Sequence, residues 1–353
     1  MNLSEAILDC TDLYKAEISN CQFVNASLKE INLYQSILAD VNFTNTDLSH
    51  SNLVGSILKK CLLKNTNFTN ANLETIDFNG VGFWNQEKSI IENINFTGAI
   101  LRKANLRGYN PQNPKQYIDF STSNFKDADL TGSLYDLHTR FPKMLNPQEK
   151  GAYLVTAGAS MENADLSFTN LFRANLSRAN LSEANLTATI IHSANLNGAN
   201  LSGARIVYEK GRWDRDLYVN AHLNNANLQK ATIIGIKPDN SRMYLNGVDL
   251  TEVKLIDCAF TSMEMNGAKL ANLKLDGFDF SNAQLKGSDF SNASLRGCNF
   301  SSSDLRGANF NGADLSGANL SYAQLKNTDL SQTIINGVDF KNAQLDGVIM
   351  PNN

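Results

Sequence analysis

Large hydrophobic residues recur at every fifth position through most of the chain, and a small residue usually stands two places before each of them. The unit is plain at Ala174-Asn175-Leu176 and again at Ala308-Asn309-Phe310. Five residues turn a helical side chain by about 140°, so the pattern makes no apolar stripe on an α-helix. In a flat strand an odd period would place successive large residues on opposite faces. The period therefore predicts a chain that turns a corner every five residues and winds into a tube.

The repeats form blocks that are separated by non-repetitive segments. The blocks cover residues 3–83, 94–106, 118–135, 159–206, 221–233 and 243–350, and the insertions cover 84–93, 107–117, 136–158, 207–220 and 234–242. No proline lies inside a block. Stacked coils need backbone N–H groups for bonds to their neighbours, and proline has none. We therefore expect a single repeat array over residues 1–353.

The residues two places after each large inward residue indicate tight corners. Tight turns often require a positive φ, which glycine adopts freely and asparagine tolerates. In the last block these positions are Asn282, Gly287, Asn292, Gly297, Ser302, Gly307, Gly312 and Gly317.

This pattern resembles the pentapeptide-repeat family, whose unit is commonly written as Ala, Asp or Asn, Leu and two variable residues. The resemblance covers most of the chain. It implies an all-β fold, a right-handed quadrilateral β-helix with four units per coil and about 15 coils here. Residues 20 apart would then stack in columns, for example Phe280 beneath Phe300.

Composition indicates a soluble protein. Hydrophobic residues make up 42% of the chain, the formal net charge is −4, and no apolar run approaches the roughly 18 residues that a membrane span needs. The N-terminal residues lack the basic and apolar regions of a secretory signal. We therefore expect a cytoplasmic protein without membrane association, and we do not expect direct nucleic-acid binding.

Candidate chemistry is sparse. The histidines at 50, 138, 192 and 222 are widely dispersed without metal-ligand spacing, and no phosphate loop or nucleophile elbow is present. Most cysteines occupy the small inward position, where they read as structural thiols. The sequence therefore predicts no enzyme, no catalytic residue, no cofactor and no metal site.

The insertions are the best candidates for a binding site, because loops on a rigid scaffold often carry function. Residues 135–152 resemble an insertion in cyanobacterial members of the family, and Arg140 and Phe141 are candidate partner contacts. In the alternative interpretation the insertion folds back over a coil edge and buries Phe141. Asn146-Pro147 could begin a brief helix.

The insertion at 207–220 is the second candidate. Alternation around Lys210-Gly211 suggests a hairpin. Its interface-type residues are Arg212, Trp213, Arg215 and Tyr218. The alternative is a solvated loop whose aromatic residues lean on the tube wall.

Taken together, these features favour a non-enzymatic protein-binding scaffold or regulatory adaptor, whose protein partner the sequence does not identify. The alternative is a DNA mimic that modulates a type II topoisomerase (gyrase), as the family's quinolone-resistance branch does, although the acidic excess here is small for a duplex mimic. A further possibility is self-association through the coil ends, where strand edges are exposed.

Overall fold

The computed structural model describes residues 1–78, 91–108, 117–208, 220–236 and 243–352. Within these ranges the chain is all-β, contains no helix and winds as a β-solenoid. The strands are short because each side of a coil has only five residues. They are β1 (Glu17–Ser19), β2 (Ile37–Ala39), β3 (Ile57–Lys59), β4 (Leu63–Lys64), β5 (Ile91–Glu92), β6 (Ile118–Asp119), β7 (Leu134–Tyr135), β8 (Thr139–Arg140), β9 (Tyr153–Leu154), β10 (Arg205–Val207), β11 (Thr232–Ile234) and β12 (Lys254–Ile256).

The chain divides into two compact units. Unit 1 comprises Met1–Val155 with Phe168–Asn170, and unit 2 comprises Thr156–Ser167 with Leu171–Asn353. In unit 1, β1, β2 and β3 form a parallel sheet, and β4 pairs with β5, β6 with β8 and β7 with β9. In unit 2, β10, β11 and β12 form a second parallel sheet. The single array predicted over the whole chain, with its block boundaries, stays a prediction.

Backbone hydrogen bonds join each coil to the next. The Leu3 N–H donates to the Gln22 carbonyl oxygen at 2.8 Å, and the Gln22 N–H donates to the Met1 carbonyl oxygen at 3.0 Å. Outside the strands the ladders continue as isolated parallel bridges, such as Asp289 with Asn309. Each coil therefore satisfies the backbone groups of its neighbours, as the absence of proline from the blocks predicts.

Some coils are longer than twenty residues. Stacked asparagines lie 20 residues apart at Asn32 and Asn52, but 28 apart at Asn67 and Asn95. The spacing is 27 between Asn200 and Asn227. After each of these longer intervals the chain continues the same ladder. The number of coils differs slightly from the predicted 15, which assumed an even four units throughout.

The interior consists of stacked columns of large side chains. The Phe280 and Phe300 rings are fully buried, with centroids 4.9 Å apart and planes 5° apart. In unit 1, Phe23 stacks on Phe43 with centroids 5.6 Å apart. The predicted columnar core is confirmed.

Residues with positive φ mark the corners. All eight corners named from the sequence have φ between 55° and 73°. The same conformation also occurs at less tolerant residues, including Thr75 (φ 56°) and Ala188 (φ 52°). The fold therefore imposes the corner even where the side chain disfavours it.

Candidate functional site

The loop of residues 136–152, here called the 136–152 loop, is the described insertion with the most distinctive surface. It begins after β7 and ends before β9, and these two strands pair with each other, Leu134 opposite Tyr153 and Tyr135 opposite Leu154. Both ends of the loop are thus fixed in one sheet of unit 1. Within the loop, β8 pairs with β6, so the chain is also held on a ladder at Thr139 and Arg140.

Asp136 fixes the first turn of the loop. Its buried carboxylate oxygen Oδ1 accepts hydrogen bonds from the backbone N–H groups of Gly108 at 3.0 Å and His138 at 2.9 Å. It also accepts the Thr139 hydroxyl at 3.2 Å. These bonds hold the chain before it reaches Arg140.

A buried polar group lies near this turn. The Arg107 side chain is almost fully buried; its Nε donates to Asn105 Oδ1 and its Nη2 to the Asn170 carbonyl oxygen, both at 2.9 Å. Burial lowers the pKa of Arg107, and the Asp136 and Asp77 carboxylates oppose that shift. Arg107 therefore stays charged and attracts both carboxylates.

Phe141 anchors the loop to the core. Its ring centroid lies 6.0 Å from Phe120, 5.7 Å from Phe125 and 5.6 Å from Tyr135, and its side chain is half-buried. The sequence named Phe141 as a candidate partner contact, but the structure places it against the core. Its assignment as a partner contact stays a prediction.

Arg140 is exposed and available to a partner. Its guanidinium carbon lies 3.5 Å from the centroid of the Tyr117 ring, and its Nη1 lies 3.9 Å from Asp119 Oδ2. The register of β6 with β8 places Asp119 directly opposite Arg140. The guanidinium is therefore held flat on an aromatic face, a pre-organised arrangement that leaves part of its edge in solvent.

Two large apolar side chains of the same loop point into solvent. Leu137 is 74% exposed and Met144 is 98% exposed. Met144 lies in a turn that the Leu145 N–H closes on the Pro142 carbonyl oxygen at 2.9 Å, while Leu145 packs against the core. Sequence reasoning missed Leu137 and Met144; the signal was two large apolar residues in an insertion that has no repeat to bury them.

The helix predicted at Asn146-Pro147 is wrong. The Lys150 N–H bonds the Pro147 carbonyl oxygen at 3.1 Å, and the Gly151 N–H bonds Gln148 at 2.9 Å, which gives one turn. Gly151 then takes φ +81° and leads the chain into β9. Asn146 does act as predicted at the start of this turn, since its Oδ1 accepts the Gln148 N–H at 3.2 Å.

Arg212, Trp213, Arg215, Tyr218 and the hairpin around Lys210-Gly211 lie outside the described residues.

Chemical groups for catalysis are not assembled in the part of the chain that the structure describes. It contains no group of three or more His, Cys, Asp or Glu side chains that could hold a metal ion. Burial raises the pKa of the Cys61 and Cys298 thiols to about 12, so neither is a ready nucleophile at neutral pH. No helix within the described ranges has the length and hydrophobicity that a membrane span requires.

Comparison with known proteins agrees with this architecture. A family model described as pentapeptide repeats matches residues 169–206, 244–282, 283–321 and 313–350, and one described as a pentapeptide repeat region matches 11–83. The chain belongs to the pentapeptide-repeat family. No curated protein matches the sequence.

Several solved structures are similar to the chain at low identity. HetL, a pentapeptide-repeat protein involved in heterocyst differentiation regulation from the cyanobacterium Nostoc sp. strain PCC 7120, is 19% identical, with 98% of this chain and 91% of HetL covered and a TM-score of 0.16. QnrB1, a plasmid-mediated fluoroquinolone resistance protein, is 16% identical, with 82% and 89% covered and a TM-score of 0.24. Rfr23 from the cyanobacterium Cyanothece is 21% identical, with 42% and 90% covered and a TM-score of 0.15.

Proposed function

We propose that this protein is a non-enzymatic protein-binding scaffold and that the 136–152 loop is one of its contact surfaces. The observation that carries the proposal is the exposure of Met144 (98%) and Leu137 (74%) on a loop that Phe141 anchors to the core. Exposing large apolar side chains forfeits roughly 1.5–3 kcal/mol each relative to burying them. A partner that covers both would recover that free energy.

The loop also has the composition of a binding surface. Methionine, arginine and aromatic residues are enriched in protein interfaces, and Arg140 on Tyr117 stands in the same loop region as Met144. Because Asp136 and Phe141 fix the loop before binding, association would cost little ordering entropy. We propose that the protein does this work in the cytoplasm.

The gyrase-directed alternative has less support. Carboxylates that would imitate duplex phosphates are partly neutralised by neighbouring cations: Lys269 Nζ lies 3.1 Å from Asp249 Oδ2, and Arg306 Nη2 lies 2.6 Å from Asp304 Oδ2. Surface pairs of this kind lower the negative potential that a DNA mimic needs.

The test is affinity capture from lysate with quantitative mass spectrometry, using the wild-type protein and the variant Leu137→Ser/Met144→Ser. The matched control is Tyr322→Asn, which removes a large side chain that is 56% exposed in unit 2. We expect a protein that the wild type and control enrich and the double variant loses. Equal enrichment by all three would refute the assignment of the loop.

A further inference from the structure

A second surface, in unit 2, carries a continuous row of hydrogen-bond donors. Bridges stack Asn195, His222, Tyr244, Glu264 and Gln284 in one ladder, which continues through Asp304 and Gln324. The residues two places after these share the same face. They form the amide row (Asn197, Asn224, Asn246, Asn266) and then the cation row (Lys286, Arg306, Lys326).

The amide row has one fixed orientation. The Oδ1 atoms of Asn197 and Asn224 accept the backbone N–H of the next residue in the row at 3.0 Å, and Asn246 accepts that of Asn266 at 2.9 Å. Asn266 Oδ1 accepts the Lys286 N–H at 2.9 Å. Among the described residues the Nδ2 groups of these four asparagines donate to no protein atom. Each of these four asparagines therefore presents an amide donor that no described residue occupies, at one per coil.

The cation row continues the amide row with positively charged donors. All three side chains are exposed. Arg306 pairs with Asp304 on the same face, whereas Lys286 and Lys326 form no ion pair with any residue that the structure describes. Glu264 is an acidic residue beside the amide row. It lies on the same ladder as His222 and Tyr244.

Glycine corners leave this row open on one side. Gly247, Gly267, Gly287 and Gly307 follow the row residues directly, and each has φ between 64° and 67°. A Cβ added at Gly267, Gly287 or Gly307 would meet no atom within 4 Å. Space is therefore open beside Asn266, Lys286 and Arg306, whereas a side chain at Gly247 would meet Asn225.

We propose that this row binds an acidic linear polysaccharide, with the amide groups donating to its hydroxyl and ring oxygens and the lysines pairing with its carboxylates. Successive donors are roughly 4.8 Å apart because each coil contributes one. The sugar units of an extended glycan have about this length. A chain laid along the row would bring a ring or hydroxyl oxygen to a donor at each unit, because every sugar ring carries such oxygens around its edge even though successive rings are rotated.

Other linear polymers fit this spacing less well. Side chains on one face of an extended peptide recur only every two residues, roughly 6.6–6.8 Å apart. The phosphates of one strand of B-DNA follow a helical path, so they turn away from a straight row of donors. A glycan can keep register with the coils from Asn197 to Lys326, so the geometry favours it.

The test uses a fluorescent polygalacturonate oligomer long enough to reach from Asn197 to Lys326, with binding followed by anisotropy. The first variant is Asn224→Asp/Asn246→Asp. Aspartate keeps the bond to the backbone, as Asp9 and Asp276 do when they accept the Lys29 and Arg296 N–H groups at 2.9 and 3.0 Å. The variant therefore folds but replaces two donors with repelling carboxylates.

We expect the wild type to bind saturably and this variant to bind at least about tenfold more weakly, because like charges face each other in the complex. The matched control is Asn311→Asp/Asn336→Asp, which adds the same charge at exposed positions on other faces. We expect this control to bind like the wild type. Gly267→Asn/Gly287→Asn, which keeps a residue type that tolerates positive φ, is expected to weaken binding by obstruction.

Three results would overturn the proposal. They are no binding of polygalacturonate by the wild type, equal binding by the Asn224→Asp/Asn246→Asp variant and its control, or equally tight binding of polyglutamate or oligothymidylate. Urea unfolding of every variant establishes that the fold is intact. The 136–152 loop is unchanged in all of them, so failure here leaves the protein-binding proposal standing.

Discussion

The rings of Phe280 and Phe300, twenty residues apart in sequence, lie face to face with centroids 4.9 Å apart and planes 5° apart. Each also meets Phe290 edge to face, at 5.8 Å and 5.7 Å. The interior is thus an aromatic column with perpendicular neighbours, both favourable ring geometries. The column exists because one coil consumes twenty residues here.

Replacing Phe300 should reveal the contribution of that column. Phe300→Ala is expected to lower the free energy of unfolding by about 3–5 kcal/mol, because the rigid coils above and below cannot collapse into the cavity. Ser301→Ala, on the outside of the same coil, should change it by less than about 0.5 kcal/mol. Urea unfolding followed by circular dichroism measures both. Equal losses for the two variants would contradict a packed interior at Phe300.

Ala188 should gain stability from a smaller residue. It is buried and has φ 52°, where an L-residue pays roughly 1–2 kcal/mol that glycine does not. Part of this gain is offset because an unfolded glycine loses more conformational entropy on folding. Ala188→Gly is therefore expected to raise the free energy of unfolding by about 0.5–1 kcal/mol. Ala184→Gly, at the small inward position of the same five-residue unit and without positive φ, should destabilise. Thermal melts of both variants test the opposite signs; two changes of the same sign would count against the corner geometry.

Arg107 should be costly to remove. Arg107→Met keeps much of the side-chain volume but leaves the buried carboxylates of Asp77 and Asp136 without their cation. A loss of about 3–5 kcal/mol is expected, as for other broken buried ion pairs. Arg306→Met, whose guanidinium is exposed, should have little effect. The urea unfolding midpoints of the two variants are compared. Similar midpoints would show that Arg107 does not stabilise the fold more than Arg306 does.

Part of the stability that the protein loses in acid should come from Asp304. Hydrogen bonding by Arg306 lowers the pKa of Asp304 below its ordinary 3.8. Because the folded pKa is the lower one, Asp304 contributes stability above about pH 3.8, and this is lost as the pH falls through the folded value. Asp304→Asn should therefore show a smaller acid-induced drop in urea midpoint than the wild type. Arg306→Gln should shrink the drop similarly; identical pH profiles for all three proteins would rule this coupling out.

The fold was predictable because its cause is local and repeated. Each inward residue, such as Phe280, is specified by its own five-residue unit, and corners such as Gly287 carry the residue that the turn requires. The spacing between stacked residues was less predictable. It is 28 residues between Asn67 and Asn95, not the 20 of an even repeat.

The site was predictable only in its location. The 136–152 loop stood out because it breaks the period, but no repeat specifies which of its side chains point inward. Phe141 packs on Phe120 and Phe125, residues that precede it by more than one unit and reach it only through the tertiary fold. The same contacts leave Met144 outside. The amide row was hidden because the insertions place Asn197 and Asn224 out of the twenty-residue register.

Photo-crosslinking at position 144 shows whether a protein binds the 136–152 loop. Benzoylphenylalanine in place of Met144 is compared with the same group in place of Asn311, an exposed residue on a repeat face of unit 2. If the 136–152 loop binds a protein, position 144 gives a discrete protein adduct in living cells that position 311 does not give, and Leu137→Ser weakens it. The same adducts from both positions, or none from position 144, would show that the loop is not a protein-binding surface.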